Sequence, residues 1–184
     1  MDAITSTMVP AVNILRTSNM TISYVVGDAT QPRGEGLKLI VHVCNAAGGW
    51  GRGFVVALSN RWPEPEAAYR KWFAERNKMS KYLSSEIFKQ GNIQPVRVTD
   101  NIMVVNMIAQ THWRWTNGQP PIRYDSLAEC LMKVNLIALK TNASIHMPDM
   151  IGCGLAGGNR EKVISIIERT ITVPVTAYNL NTPA

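Results

Sequence analysis

Apolar positions along the chain gather into short runs and helical stripes that alternate. Ile22-Ser23-Tyr24-Val25-Val26 is β-rich and stops at Gly27-Asp28. A turn-rich connection, Gln31 to Gly36, then leads into the apolar strand Leu37 to Cys44. Phe54 to Leu58 reads as a short buried helix. Pro63-Glu64-Pro65-Glu66 reads as the entrance to a second helix running to about Arg76, with proline early and acids facing the positive end of the helix dipole. Pro95 to Val98 and Ile102 to Ile108 predict two strands around the turn Thr99-Asp100-Asn101, and Gln110 to Pro121 a polar, aromatic loop. Leu127, Leu131, Val134 and Ala138, with Cys130 and Ile137 beside them, recur at helical spacing and predict the longest helix. Ser144 to Pro148 is a strand, Asn159 caps a helix whose Val163, Ile166 and Ile167 point inward, and Val173 to Tyr178 is a last strand. Strands and helices alternating in this way predict an α/β sheet covered by helices on both faces. Residues 1 to about 20 are rich in Ser, Thr and Asn without periodicity and read as an extension or a short accessory strand.

Composition narrows the class. The 184 residues suit one domain that buries its core without metal or disulfide support. Cys44, Cys130 and Cys153 are odd in number and lack C-x-x-C spacing, which suits a reducing compartment. Neither Cys44 nor Cys153 has the arginine six residues later that cysteine phosphatases use, so both read as packing residues. No apolar run approaches the length of a membrane span, and the first residues lack the basic-then-apolar order of a signal peptide. The expectation is a soluble, cytoplasmic protein with no membrane partner. No His/Asp/Glu cluster has metal-ligand spacing, so neither metal nor cofactor is expected. A formal charge of +6 favours an anionic partner, but the basic residues are dispersed rather than gathered in a nucleic-acid-binding tract.

Two glycine-rich loops carry the chemistry. The first, Asn45 to Phe54, follows the strand ending at Cys44, and the second, Gly152 to Gly158, follows the strand ending at Pro148. Each opens onto a helix. Glycines let backbone N–H groups close around an anion, and the helix N-terminus adds to the attraction, so two such loops can hold a diphosphate from both sides. Gly152, Gly154 and Gly157 also satisfy the dinucleotide pattern G-x-G-x-x-G. Only one helix and one short strand follow, which disfavours a Rossmann dehydrogenase and keeps the phosphate cradle.

Val41-His42-Val43-Cys44-Asn45, Gly49-Trp50-Gly51-Arg52-Gly53, and then Leu58, Arg61, Trp62, Pro63 and Tyr69 resemble the macrodomain family, especially its ADP-ribose-1″-phosphate phosphatase branch. Gly27-Asp28, Met147-Pro148 with the second glycine loop, and Tyr178 fall in the order that family requires. The resemblance implies a three-layer α/β/α fold with a central mixed sheet, residues 21–184 forming the macrodomain and 1–20 an N-terminal extension. It implies ADP-ribose or a derivative as ligand, free or carried on protein or nucleic acid. By the same resemblance Asp28 and Ala29 lie at the adenine, with Tyr178 against the ring. Asn45 orients the distal ribose, and Gly49, Trp50, Gly51, Gly53 and Phe54 surround it. Gly152, Cys153, Gly154, Leu155, Ala156 and Gly157 face the diphosphate. His42 and Asn45 are the implied catalytic residues, with His42 handling a proton. Relatives that remove ADP-ribose from glutamate use a lysine after the middle strand and an aspartate beyond the second loop. Gln110-Thr111 and Ala156-Gly157 stand there instead, which argues against that chemistry. The readings left open are hydrolysis of ADP-ribose 1″-phosphate or a related derivative, and a non-catalytic reader of ADP-ribose.

Overall fold

The computed structural model describes residues 22–76 and 87–180; the expected extension over 1–20 lies outside them. Within that range the elements run β1 (Ile22–Val26), β2 (Lys38–Asn45), α1 (Phe54–Arg61), α2 (Glu64–Glu75), β3 (Ile93–Thr99), β4 (Ile102–Gln110), α3 (Tyr124–Thr141), β5 (Ser144–Pro148), α4 (Arg160–Thr170) and β6 (Val175–Asn179). The strands form one six-stranded sheet in the order β1-β6-β5-β2-β4-β3. All neighbours are parallel except β3 and β4, which the turn at Thr99 to Asn101 folds into an antiparallel pair. This is the three-layer α/β/α arrangement with a mixed sheet.

Alternation along β2 separates the two faces. Leu39 and Val41 join the large core under α3 and α4, whereas Ile40 packs with Leu58 of α1 and Cys44 with Tyr69 and Trp72 of α2. The predicted stripe of α3 is buried at Leu127, Cys130, Leu131, Val134 and Ala138. Asn159 caps α4 through its side chain, which accepts from the Lys162 N–H at 2.9 Å.

Polar side chains are built into the face that carries α1 and α2. Asn106 of β4 donates to the Pro65 carbonyl (3.0 Å) and to Gln94 Oε1 (3.1 Å), and Gln94 donates to the Ala68 carbonyl. Because the Pro65 carbonyl only accepts, the Asn106 amide nitrogen must face it, and the amide oxygen is turned to His42 Nε2 at 2.6 Å. His42 therefore carries its proton on Nε2. Over β5 and β6 the same face is covered by the segment after β1. Tyr178 accepts from the Arg33 N–H (2.9 Å) and pairs with His146 Nδ1 (2.9 Å), and His146 Nε2 lies 2.8 Å from Ser144 Oγ.

Burial lowers the pKa of both His42 and His146 from 6.5 to about 4; the Asn106 bond partly opposes this at His42, and Lys38 adds to it at His146. Each is neutral in the folded protein at pH 7. Unfolded histidines take up protons near pH 6.5 and the folded ones only near 4, so this contribution is complete above pH 6.5 and is lost as pH falls toward 4. It is worth on the order of 3 kcal/mol per histidine. Urea unfolding at pH 7, 6 and 5 should show stability falling stepwise, with a shallower fall in His42→Gln. Stability constant from pH 7 to 5 would contradict the assignment.

Candidate functional site

β2 and β5 are adjacent, yet α1 leaves β2 toward one face of the sheet and α4 leaves β5 toward the other. Connections that part in this way open a crevice beyond the carboxyl ends of the two strands, where ligands of open α/β sheets bind. The two glycine loops follow these two strands. Between them lies a cleft of about 860 Å³.

The first loop is folded around Asn45. Its Oδ1 accepts from the N–H groups of Ala47 (3.1 Å) and Gly49 (2.9 Å), and its Nδ2 donates to the Gly49 carbonyl at 2.7 Å. The Tyr69 hydroxyl donates to the Asn45 carbonyl at 2.6 Å. Gly48 has φ +76°, and a Cβ there would enter the Phe73 ring, so α2 shapes the loop from beneath. Trp50 turns into the same layer. Its Nε1 donates to Ser59 Oγ (2.8 Å), which donates to Glu66 (2.7 Å), and its ring meets His42 edge-on at 5.5 Å. The Ser59 hydroxyl, ahead of Arg70, holds the Glu66 carboxyl below its usual range.

The second loop closes on itself. The Gly158 N–H donates to the Gly152 carbonyl (2.9 Å) and the Gly157 N–H to Gly154 (3.0 Å). A Cβ on Gly158 would overlap the Gly152 carbonyl oxygen, whereas one on Gly154 would meet nothing within 4 Å. Among the described residues, the N–H groups of Gly154, Leu155 and Ala156 have no acceptor, and neither do those of Trp50 to Phe54. The loops approach one another where a Leu155 methyl lies 3.4 Å from the place of a Gly53 Cβ.

The stretch expected as a polar, aromatic loop, Gln110 to Pro121, is a hairpin. Bridges Gln110↔Ile122 and Thr116↔Gln119 close it, and Asn117 and Gly118, both at positive φ, form its turn. It lies across both glycine loops: Trp113 packs on Gly49, and Trp115 on Gly157.

Of the residues expected at the site, Asp28, Ala29, His42, Asn45, Gly49, Trp50, Gly51, Gly53, Phe54, Gly152, Gly154, Leu155, Ala156 and Tyr178 line this cleft. Two of the expected residues stand apart from it. Gly157 is covered by Trp115, and Cys153 packs against the large core, where burial raises its thiol pKa. Cys44 is buried with Tyr69 and Trp72. One Asp28 oxygen accepts from the Thr30 N–H at 2.8 Å. Arg52, Gln110 and Trp113 also line the cleft. None was expected as a ligand contact: Arg52 stands in the motif of the first loop, and Gln110 and Trp113 in the polar, aromatic stretch after β4. Asp149 at the rim is engaged by Arg160 at 2.6 Å. Among the described residues no three His, Cys, Asp or Glu side chains gather as metal ligands, and no helix is long and apolar enough to cross a membrane.

Comparison with known proteins places this geometry. The chain is 42% identical to a macrodomain protein from Streptomyces coelicolor, which matches it with a TM-score of 0.73 over 86% of this chain and 99% of that one. It is 45% identical to a protein of unknown function from Bacteroides thetaiotaomicron, with a TM-score of 0.78 over 86% of this chain and 98% of that one. Over 142 residues it is 34% identical to the mouse chromodomain-helicase-DNA-binding protein 1-like, a match that covers 76% of this chain but spans 15% of the mouse protein. A distant likeness, 14% identical with a TM-score of 0.58 over 77% of this chain and 38% of the other, links the fold to Thermosipho africanus DarTG, solved in complex with ADP-ribose. No protein-family model matches. The chain belongs to the macrodomain family.

The glycines of the second loop should separate by role. Gly158→Ala should cost roughly 1–3 kcal/mol of stability because the loop must open to admit the methyl group. Gly154→Val should leave stability within about 0.5 kcal/mol, since a Cβ there meets no heavy atom within 4 Å. Thermal unfolding of both variants tests this, and equal destabilisation would contradict the loop geometry.

Proposed function

We propose that this cleft binds ADP-ribose or a derivative of it. The observation that carries the reading is the pair of loops with free N–H groups, brought face to face at the crevice between β2 and β5. Backbone donors of this kind hold a diphosphate without a cluster of cations, and among the described residues Arg52 is the one Lys or Arg that lines the cleft. Membership of the macrodomain family and the ADP-ribose held by the DarTG protein support the same ligand.

The remaining contacts follow from what each side chain has left to offer. Asp28 keeps one carboxylate oxygen for the adenine amine beside Ala29. The Tyr178 hydroxyl is engaged, so Tyr178 offers its ring. The diphosphate lies between Gly51, Gly53 and Phe54 on one side and Gly152, Gly154, Leu155 and Ala156 on the other. Asn45 keeps one amide hydrogen for the distal ribose, beside Gly49 and Trp50. The finer reading is hydrolysis of ADP-ribose 1″-phosphate or a related derivative. In it the loop amides stabilise the developing charge and His42, neutral and protonated on Nε2, accepts a proton at Nδ1. One observation favours the second reading, a non-catalytic reader: Nδ1 lies 3.8 Å from the Cys44 thiol, so both ring nitrogens of His42 have partners within the fold.

Calorimetry should show ADP-ribose binding far more tightly than AMP, with Gly154→Val abolishing that binding in a folded protein. Equal affinity for AMP and ADP-ribose would remove the distal-ribose site. On the hydrolase reading, wild type releases phosphate from ADP-ribose 1″-phosphate, and His42→Ala lowers turnover by roughly 10²–10⁴-fold with ADP-ribose affinity retained. Asn45→Ala should impair both turnover and binding. Tight binding without phosphate release from the wild type identifies the reader.

A further inference from the structure

The helix α3 is apolar on two sides. One side, with Leu127, Cys130, Leu131, Val134 and Ala138, is buried in the large core. On the other, Met132, Leu136 and Leu139 follow one another at helical spacing and are 49%, 56% and 55% exposed. A single exposed leucine is ordinary. Three large apolar side chains in line over two turns form a stripe, and a helix that is apolar on both sides is stable in water when both are covered. A groove of about 670 Å³ adjoins the stripe at Leu136, where Trp72, Ile93, Pro95 and Ile137 extend its lining. Charges are ordered along the same exposed side: Asp125 and Glu129 precede the stripe, and Lys140 stands at its end. Among the described residues none of these three forms an ion pair.

We propose that this stripe binds a second copy of the chain, with α3 lying antiparallel on the partner's α3 about a two-fold axis beside Leu136. The order of the charges selects both the partner and its direction. A two-fold contact presents one patch to itself, so the patch must complement its own image. Were the helices parallel, Asp125, Glu129 and Lys140 would each meet their own copies, and like charges would be forced together. In the antiparallel arrangement Met132 meets the partner's Leu139, Leu136 lies beside the axis, and Glu129 comes within about one turn of the partner's Lys140. Each of these contacts occurs twice. Because α3 starts behind the hairpin that covers the glycine loops and runs to the opposite end of the sheet, the two clefts lie at opposite ends of the pair and both stay open. The pairing does not depend on what the cleft binds.

Sedimentation velocity of the full chain, over concentrations from about 1 to 100 μM, tests the pairing. The wild type should pass from the mass of one chain to the mass of two. Leu136→Lys, an exposed change that leaves the buried side of α3 untouched, should raise the dissociation constant roughly tenfold or more. Glu129→Lys and Lys140→Glu should each weaken the dimer several-fold, because each sets like charges opposite one another. An equimolar mixture of these two variants should regain the wild-type affinity, since each copy then supplies the sign that the other lacks. Thermal unfolding of the same preparations separates loss of association from loss of folding. A wild type that stays monomeric throughout the range would overturn the proposal and leave the stripe to a partner of another kind. A dimer indifferent to Leu136→Lys would place the contact elsewhere on the surface, and a mixture no tighter than the single variants would contradict the antiparallel pairing.

Discussion

The Asn45 side-chain amide sets the shape of the cleft mouth. Where β2 ends the chain must leave the sheet, turn and start α1, and the turn would otherwise leave main-chain groups without partners. Asn45, only 5% exposed, supplies both a donor and an acceptor to that turn. In such a buried place an unpaired polar group costs more than the bond itself contributes, so the amide dictates one loop conformation rather than merely favouring it. Its own main chain is fixed by Tyr69 from α2, and α2 also supplies Phe73 beneath Gly48. The second helix thus serves as the template on which the first glycine loop is laid.

Its grip on the sheet is polar as well as apolar. Asn106 and Gln94 reach from β4 and β3 to the carbonyls of Pro65 and Ala68, and His42 completes the chain of bonds under the cleft floor. Burial keeps His42 neutral at pH 7, so the floor is polar and fixed but uncharged. The N–H groups of the loops and the first turn of α1 then present fixed partial positive charge to the crevice, beside the exposed Arg52, a setting that favours a diphosphate. The second loop is stiffened differently, by bonds to its own carbonyls and by the Asn159 cap of α4.

Much of this was legible in the chain because the responsible interactions are local. The helical stripe from Leu127 to Ala138, the Asn159 cap, the runs of β2 and β5 and the glycine loops all appear where expected, within a residue or two at most ends. The hairpin at 110–122 was not legible. Its Asn117-Gly118 turn is a known signal, but the flanks carry polar and aromatic residues in place of alternating apolar ones, since the hairpin packs on glycine backbone and not on a core. Gly157 illustrates the same limit: it fits the loop pattern, yet Trp115, 42 positions earlier, covers it. Tyr178 reads as an aromatic for a ligand, but its hydroxyl meets Arg33 across a separation of 145 residues. Pattern reading locates the elements and the loops; which side chains remain free to meet a ligand is decided by partners distant in sequence.

On the proposed reading the free N–H groups of the two loops receive a diphosphate together. Backbone amide spectra of the isotopically labelled protein, titrated with ADP-ribose, test it most directly. The largest shifts should fall at Gly51, Gly53 and Phe54 and at Gly154, Leu155 and Ala156, with downfield movement of the N–H protons that donate. Shifts confined to one loop, or concentrated in the groove between α2 and α3 around Lys71 and Leu136, would contradict it.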